Sequence, residues 1–111
     1  MEYKILSFKK SLDKKHKYVV VLLNLETNKE YTVKFGAYGM NDYTIYYKMY
    51  GKEFAEKKRK AYIARHKVNE VKYWNNPNYP SYWSRWLLWE EPNINDAYKK
   101  IRQDLLKWKI I

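Results

Sequence analysis

Three short runs near the N-terminus have the apolar pattern of β-strands. Residues 3–8 alternate loosely, with Tyr3, Ile5 and Phe8 as the apolar positions. Residues 18–23 form a continuous aliphatic run, which is typical of a buried central strand. Residues 31–35 alternate cleanly, and the polar cluster just before them suits a hairpin turn. The first 35 residues therefore predict a three-stranded antiparallel meander.

Residues 53–67 favour a helix because they are rich in Ala, Glu, Lys and Arg. The amphipathic pattern of this helix is poor, since its apolar positions share an arc with basic ones. At about 100° per residue, one arc holds Phe54, Ala61, Tyr62, Lys58 and Arg65. Two interpretations remain open: either Arg65 is buried and paired, or the helix packs through a narrow stripe.

The C-terminal third predicts two further helices. Residues 81–89 are apolar nearly all round, which places a short helix centrally in the domain. Pro92 ends that helix, and Asn93 is positioned to cap the next one. The last helix repeats its apolar residues at helical spacing, namely Ile94, Ala97, Tyr98, Ile101, Leu105 and Trp108.

The segments between these elements are less regular. Residues 43–50 are aromatic and fit either a strand or a helix, and Gly51 interrupts them. Gly36 and Gly39 lie so close together that they predict positive φ angles or a close backbone approach. The fold class that we predict is α+β, a single domain over residues 1–111. It consists of a small three-stranded antiparallel sheet followed by about three helices packed on one face.

Composition narrows the classes of function. The 111 residues include 13 Tyr, 5 Trp and 3 Phe, enough aromatic area for a real core in a short chain. There is no cysteine, so disulfides, thiolate metal sites and cysteine nucleophiles are excluded. No apolar run approaches the length of a signal peptide or a membrane span. We therefore expect a soluble, intracellular protein.

The net charge of +11 is the strongest functional indication. A field of this sign attracts nucleic acid, an anionic membrane surface or an acidic protein face, although lysines also serve solubility alone. Nucleic acid, DNA rather than RNA, is the partner that we expect. The predicted binding residues are Lys57, Lys58, Arg59, Lys60, Arg65, Lys67 and Arg85.

The aromatic residues have two interpretations each. Four tyrosines at residues 43–50 offer stacking faces for bases, or they are half-buried packing with the hydroxyl at the surface. The tryptophans at 83, 86 and 89 favour core over a ligand cage. Arg85 stands among them as a buried arginine, a cation–π arginine or an anion contact.

Catalysis is not predicted, and neither is a metal or another cofactor. His16 and His66 do not stand at metal-ligand spacing with another His or Cys. A small hydrolase or nuclease that uses His66 with Asp42 or Glu70 is the weakest alternative, because such residues occur together by chance in most domains.

Several blocks resemble a family of short uncharacterised proteins of giant viruses, the nucleocytoplasmic large DNA viruses. The blocks are Lys34-Phe35-Gly36-Ala37, Asp42-Tyr43-Thr44, residues 59–66, Glu70, Trp74, residues 83–89 and Pro92. The resemblance covers about residues 31–106. The family tends to carry a histidine just after the Asp-Tyr-Thr block, whereas Ile45 follows here. A few extra residues also separate Thr44 from the basic helix.

The resemblance implies a viral origin, with the virion and the host cytoplasm or nucleus as the location, and it implies no activity. Taken together, the net charge and the resemblance lead us to expect a non-catalytic nucleic-acid-binding protein that is packaged in the particle. The alternative is a structural component of the virion that acts through protein–protein contacts or as a homodimer. That alternative is motivated by the aromatic run at 43–50 and by Ile110-Ile111.

Overall fold

The computed structural model describes the backbone of residues 3–110 and the side chains of residues 3–105. Three strands come first: β1 (Tyr3–Lys10), β2 (His16–Asn24) and β3 (Lys29–Ala37). They form one antiparallel sheet in the order β1-β2-β3, so the continuous aliphatic run is the central strand, as predicted. The pairing register of β1 with β2 shifts between Ile5 and Ser7, and this irregularity accounts for the loose alternation of β1.

Four helices follow within the described residues. The first is α1 (Tyr43–Tyr50), which resolves the ambiguous aromatic segment as a helix. The second is α2 (Lys52–Glu70). A short 3-10 turn, Val71–Tyr73, leads on to α3 (Pro80–Trp83), which continues into a π-helical segment, Ser84–Leu88. The last is α4 (Ile94–Ile110). The α+β class is thus confirmed, with one helix more than the sequence predicted.

The core lies between one face of the sheet and the helical segments α3, the π segment and α4. Trp83 is fully buried there and contacts the ring of Phe35 from β3, and its indole Nε1 donates to the carbonyl of Pro77 at 2.8 Å. The largest fully buried side chains of this core are Trp83, Phe35, Leu22, Leu87, Leu88 and Val20. Trp83 is therefore a core residue, as predicted, whereas Trp86 and Trp89 are half-buried and pack against the core.

The end of the chain follows the predicted pattern as far as it is described. Asn93 caps α4, since its side-chain Oδ1 accepts from the amide of Asn95 at 2.8 Å. Ala97, Ile101 and Leu105 are buried against the sheet side. The side chains of Trp108 and Ile110 lie outside the described part of the structure, and so does Ile111.

Two glycines set the backbone around the helices. Gly36 has φ +76°, and a Cβ there would lie 2.9 Å from Leu88 Cδ1, so β3 and the π segment approach each other closely. Both predicted features, positive φ and close approach, are therefore present at this position. Gly51 has φ +89° and separates α1 from α2, which pack against each other as a hairpin.

Candidate nucleic-acid interface

The basic segment lies on α2, which packs against the rest of the domain through a narrow stripe. Ala55 and Tyr62 are its buried residues, and Arg59 and His66 are half-buried beside them. These four positions follow the spacing i, i+4, i+7 and i+11 of a single helix face. Arg65 is exposed, so the second interpretation of this helix is the one that the structure shows.

The predicted packing arc of α2 was wrong in one respect. Ala61 is exposed rather than buried with Tyr62, and Phe54 contacts the tyrosines of α1 instead. The reason is that two of the four packing positions carry Arg59 and His66. A search for apolar periodicity does not count such residues as buried.

The opposite side of α2 is exposed to solvent and carries five of the seven predicted binding residues. Lys57, Lys60 and Lys67 are exposed there, with Ala61, Ala64 and Val68 between them. Lys58 and Arg65 are also exposed and form one edge of this surface. We call the whole surface, including that edge, the outer face of α2; it consists of Lys57, Lys58, Lys60, Ala61, Ala64, Arg65, Lys67 and Val68.

Arg59 does not belong to the outer face. Its Nε donates to the carbonyl of Trp89 at 3.0 Å, and its Nη2 pairs with the carboxylate of Glu90. The guanidinium also lies 5.8 Å from the centre of the Tyr43 ring. Arg59 is therefore engaged inside the protein, where it holds α2 against the segment after the π turn.

Arg85 is buried and meets Arg59 at the same carboxylate. It is 7% exposed, and its Nη1 donates to Glu90 at 3.0 Å and to the carbonyl of Trp89 at 3.3 Å. Its guanidinium also lies over the ring of Trp86, 4.4 Å from the centroid. Arg85 is therefore a buried arginine with a cation–π contact, and the anionic group that it contacts in the described structure is the Glu90 carboxylate.

The two arginines and Glu90 form what we call the clamp: Arg59, Arg85 and Glu90. Burial alone would raise the pKa of the Glu90 carboxyl, but hydrogen bonds from both arginines outweigh it and lower the pKa below its usual value. Glu90 is therefore ionised at neutral pH and joins α2 to the end of the π segment. Nothing in the local sequence pattern singled out this residue.

Aromatic stacking adds to the clamp. The ring of Tyr62 stacks on Trp89 with 4.2 Å between centroids and on His66 with 4.1 Å. Burial raises the pKa of the Tyr62 hydroxyl well above its usual value, and the charge of Glu70 adds to the effect. Because Trp89 stacks on Tyr62 and also packs against the core, this half-buried residue connects α2 with the core.

The structure brings together one of the two pairs of the catalytic alternative, His66 with Glu70, whereas Asp42 has other partners. His66 Nδ1 contacts Glu70 one helical turn away. The carboxylate of Asp42 is buried and accepts from Lys17 Nζ at 2.6 Å and from the backbone amide of Ile45 at 3.2 Å. Asp42 therefore acts as the N-cap of α1. Within residues 3–105, no three His, Asp or Glu side chains are grouped so that they could hold a metal ion.

An exposed aromatic corner lies where α1 meets α2. Tyr50 and Phe54 have their ring centres 4.8 Å apart, and Lys58 lies 5.5 Å from the centre of the Phe54 ring. Met49 and Tyr50 are 59% and 56% exposed. Tyr43, by contrast, is buried and donates to Glu56 at 2.6 Å, so it presents no free face for a base.

Comparisons with known proteins give this chain no relative. No protein-family model matches it, and neither curated proteins nor solved structures give a match. Among the described helices, none is both long and apolar enough to cross a membrane.

Proposed function

We propose that this chain is a non-catalytic nucleic-acid-binding protein that acts through the outer face of α2. The observation that carries the proposal is the separation of roles around this helix. One stripe carries the buried packing residues of α2, and Phe54 adds a contact to α1 beside Lys58. The five exposed cations lie off the stripe: Lys57, Lys58, Lys60, Arg65 and Lys67. Such a surface neutralises phosphates and releases their counterions.

The proposal does not rest on net charge alone. If the lysines served only solubility, their positions around α2 would not matter, and charges elsewhere on the chain would be equivalent. Arg59 and Arg85 are omitted from the proposed site because Glu90 already pairs with both. The setting in a giant-virus particle or in the infected host cell is part of the same proposal, and it is supported by the sequence resemblance only.

The test is a binding titration with a fluorescently labelled DNA duplex at several salt concentrations. The variant Lys60→Gln/Lys67→Gln removes two charges from the outer face, and Lys9→Gln/Lys99→Gln removes two exposed charges from β1 and α4. We expect the first variant to lower the slope of log K against log salt by about 1.8, at about 0.9 per phosphate contact. Equal effects of the two variants would contradict a specific site, and absence of binding would contradict the function.

Nuclease activity is tested in the same samples. Incubation of the bound DNA with Mg²⁺ or Mn²⁺ is expected to leave it intact. Cleavage that is lost in the variant His66→Ala would replace the binding proposal by the catalytic alternative.

A second candidate function, self-association, is favoured by the exposed aromatic corner. Tyr50 and Phe54 contact each other at the surface, and the neighbouring Met49 is exposed as well. Exposed apolar residues that lie together favour a protein contact. Sedimentation of the wild type and of Tyr50→Ser at increasing concentration distinguishes the cases. A dimer that is lost in the variant supports self-association, and a monomer throughout rejects it.

A further inference from the structure

The arrangement of the outer face points to a particular form of nucleic acid. At about 100° per residue, Lys57, Ala61, Ala64 and Val68 form a central line along α2. Lys60 and Lys67 lie about 70–90° to one side of this line, and Lys58 and Arg65 lie about as far to the other side. Two rows of cations therefore border a strip of mostly small side chains.

The dimensions of this surface match one groove of duplex DNA. A helix with its side chains is about 10–12 Å across, and the major groove of B-form DNA is about 12 Å wide. From Lys57 to Val68 the outer face extends about 17 Å along the axis, at 1.5 Å per residue. The groove is bordered by phosphates on both sides, which is the charge pattern that two rows of cations complement.

We infer that α2 lies in the major groove of B-form duplex DNA, with one row of cations on each phosphate backbone. Ala61 and Ala64 are exposed on the central line and allow the helix backbone to approach the base edges. The inference rests on the proposed function and specifies its ligand. A-form RNA presents a deep, narrow major groove that excludes a helix, and a single strand has no groove at all.

The same arrangement predicts weak sequence preference. Base edges are read by hydrogen-bonding side chains, above all Arg, Asn and Gln. The central line offers a single such donor, Lys57, since Ala61, Ala64 and Val68 carry no polar side-chain atom. The cation rows contact phosphates, which position the protein and carry no sequence information.

The experiment measures affinity for three probes of equal length, about 20 nucleotides per strand: a DNA duplex, an RNA duplex and single-stranded DNA. We expect the DNA duplex to bind at least about tenfold more tightly than the other two. We also compare duplexes of unrelated sequence, which we expect to bind within about threefold of one another.

Two bulky substitutions test insertion without changing charge. Ala61→Met and Ala64→Met enlarge the central line, and the control Asn69→Met places the same side chain at an exposed position of α2 off that line. We expect each alanine variant to weaken duplex binding about tenfold, equivalent to about 1.4 kcal/mol, and the control to leave it unchanged.

Circular dichroism spectra of each variant serve as the control for correct folding. Three results would each overturn the groove inference and leave the proposed function standing. The first is equal affinity for all three probes, and the second is tighter binding to RNA or to single strands. The third is that the alanine variants bind like the wild type. Absence of binding to every probe would overturn both.

Discussion

The two halves of this domain are held together by different chemistry. The sheet, α3, the π segment and α4 share an apolar core around Trp83, Phe35 and Leu22. The hairpin of α1 and α2 contacts that half through the clamp, through the pair of Lys17 and Asp42, and through the ring of Trp89, which meets both Tyr62 and Tyr46. Apolar burial organises the first half, whereas charge pairs and aromatic contacts attach the second.

This difference explains why α2 is available for binding. A helix held by a wide apolar face must bury most of its circumference, but a helix held by a few strong polar contacts needs only a narrow stripe. Arg59 and Tyr62 supply that attachment from two positions three residues apart. The remaining circumference of α2 is free to carry lysines and small residues at the surface.

The largest effect is expected in the apolar half, from Trp83→Ala. Trp83 is fully buried, and its removal leaves a cavity next to Phe35. The Pro77 carbonyl also loses its hydrogen-bond donor, the indole Nε1 of Trp83. We expect the free energy of unfolding to fall by about 3–5 kcal/mol, measured by urea denaturation. The control Tyr79→Ala changes an exposed ring, and a comparable loss there would contradict the position of the core.

A smaller loss is expected from Gly36→Ala, which tests the approach of β3 to the π segment. The added Cβ meets Leu88 Cδ1 at 2.9 Å in a backbone with φ +76°. Strain and overpacking together cost about 2–4 kcal/mol. Gly39→Ala is the matched control, because Gly39 also has positive φ but has no atom within 4 Å of the added Cβ. Equal melting temperatures of the two variants would contradict the close approach.

The clamp is tested by Glu90→Gln, which removes the charge that Arg59 and Arg85 share. Hydrogen bonds to charged groups are worth about 1.5–3 kcal/mol, so we expect a loss of that order. Amide hydrogen exchange is the sharper measurement, since α2 should open more often in the variant while α4 keeps its protection. Uniform acceleration of both helices would show that the two halves unfold as one.

The same residue predicts a pH dependence. The pKa of Glu90 is lower in the folded protein than its ordinary value of 4.5, so its contribution to stability is complete above that pH. The contribution is lost as the pH falls through the folded-state pKa, when the carboxyl takes up a proton. Glu90→Gln should therefore lose less stability than the wild type between neutral and acidic pH. Parallel acid denaturation curves would contradict this assignment.

The sequence predicted the apolar half well, because its signals are local. Each of these signals specifies an element without knowledge of its neighbours. They are the alternation in residues 31–35, the Asn93 cap, and the spacing of Ala97, Ile101 and Leu105. The attachment of α2 could not be predicted in this way. Arg59 and Arg85 are basic residues like those around them. They are paired within the protein only because the fold places Glu90, some 30 residues beyond Arg59, next to both.

The smallest effect on stability, and the sharpest separation of the two roles of α2, is expected at Arg65. Arg65 is exposed, whereas Arg59 on the same helix is paired inside the protein. Arg65→Gln should change the free energy of unfolding by no more than about 0.5 kcal/mol, but should lower the salt slope of DNA binding by about 0.9. Arg59→Gln should do the reverse, costing about 1.5–3 kcal/mol and leaving the slope unchanged. If both arginines changed stability and binding together, attachment and binding would not be separate functions of opposite sides of α2.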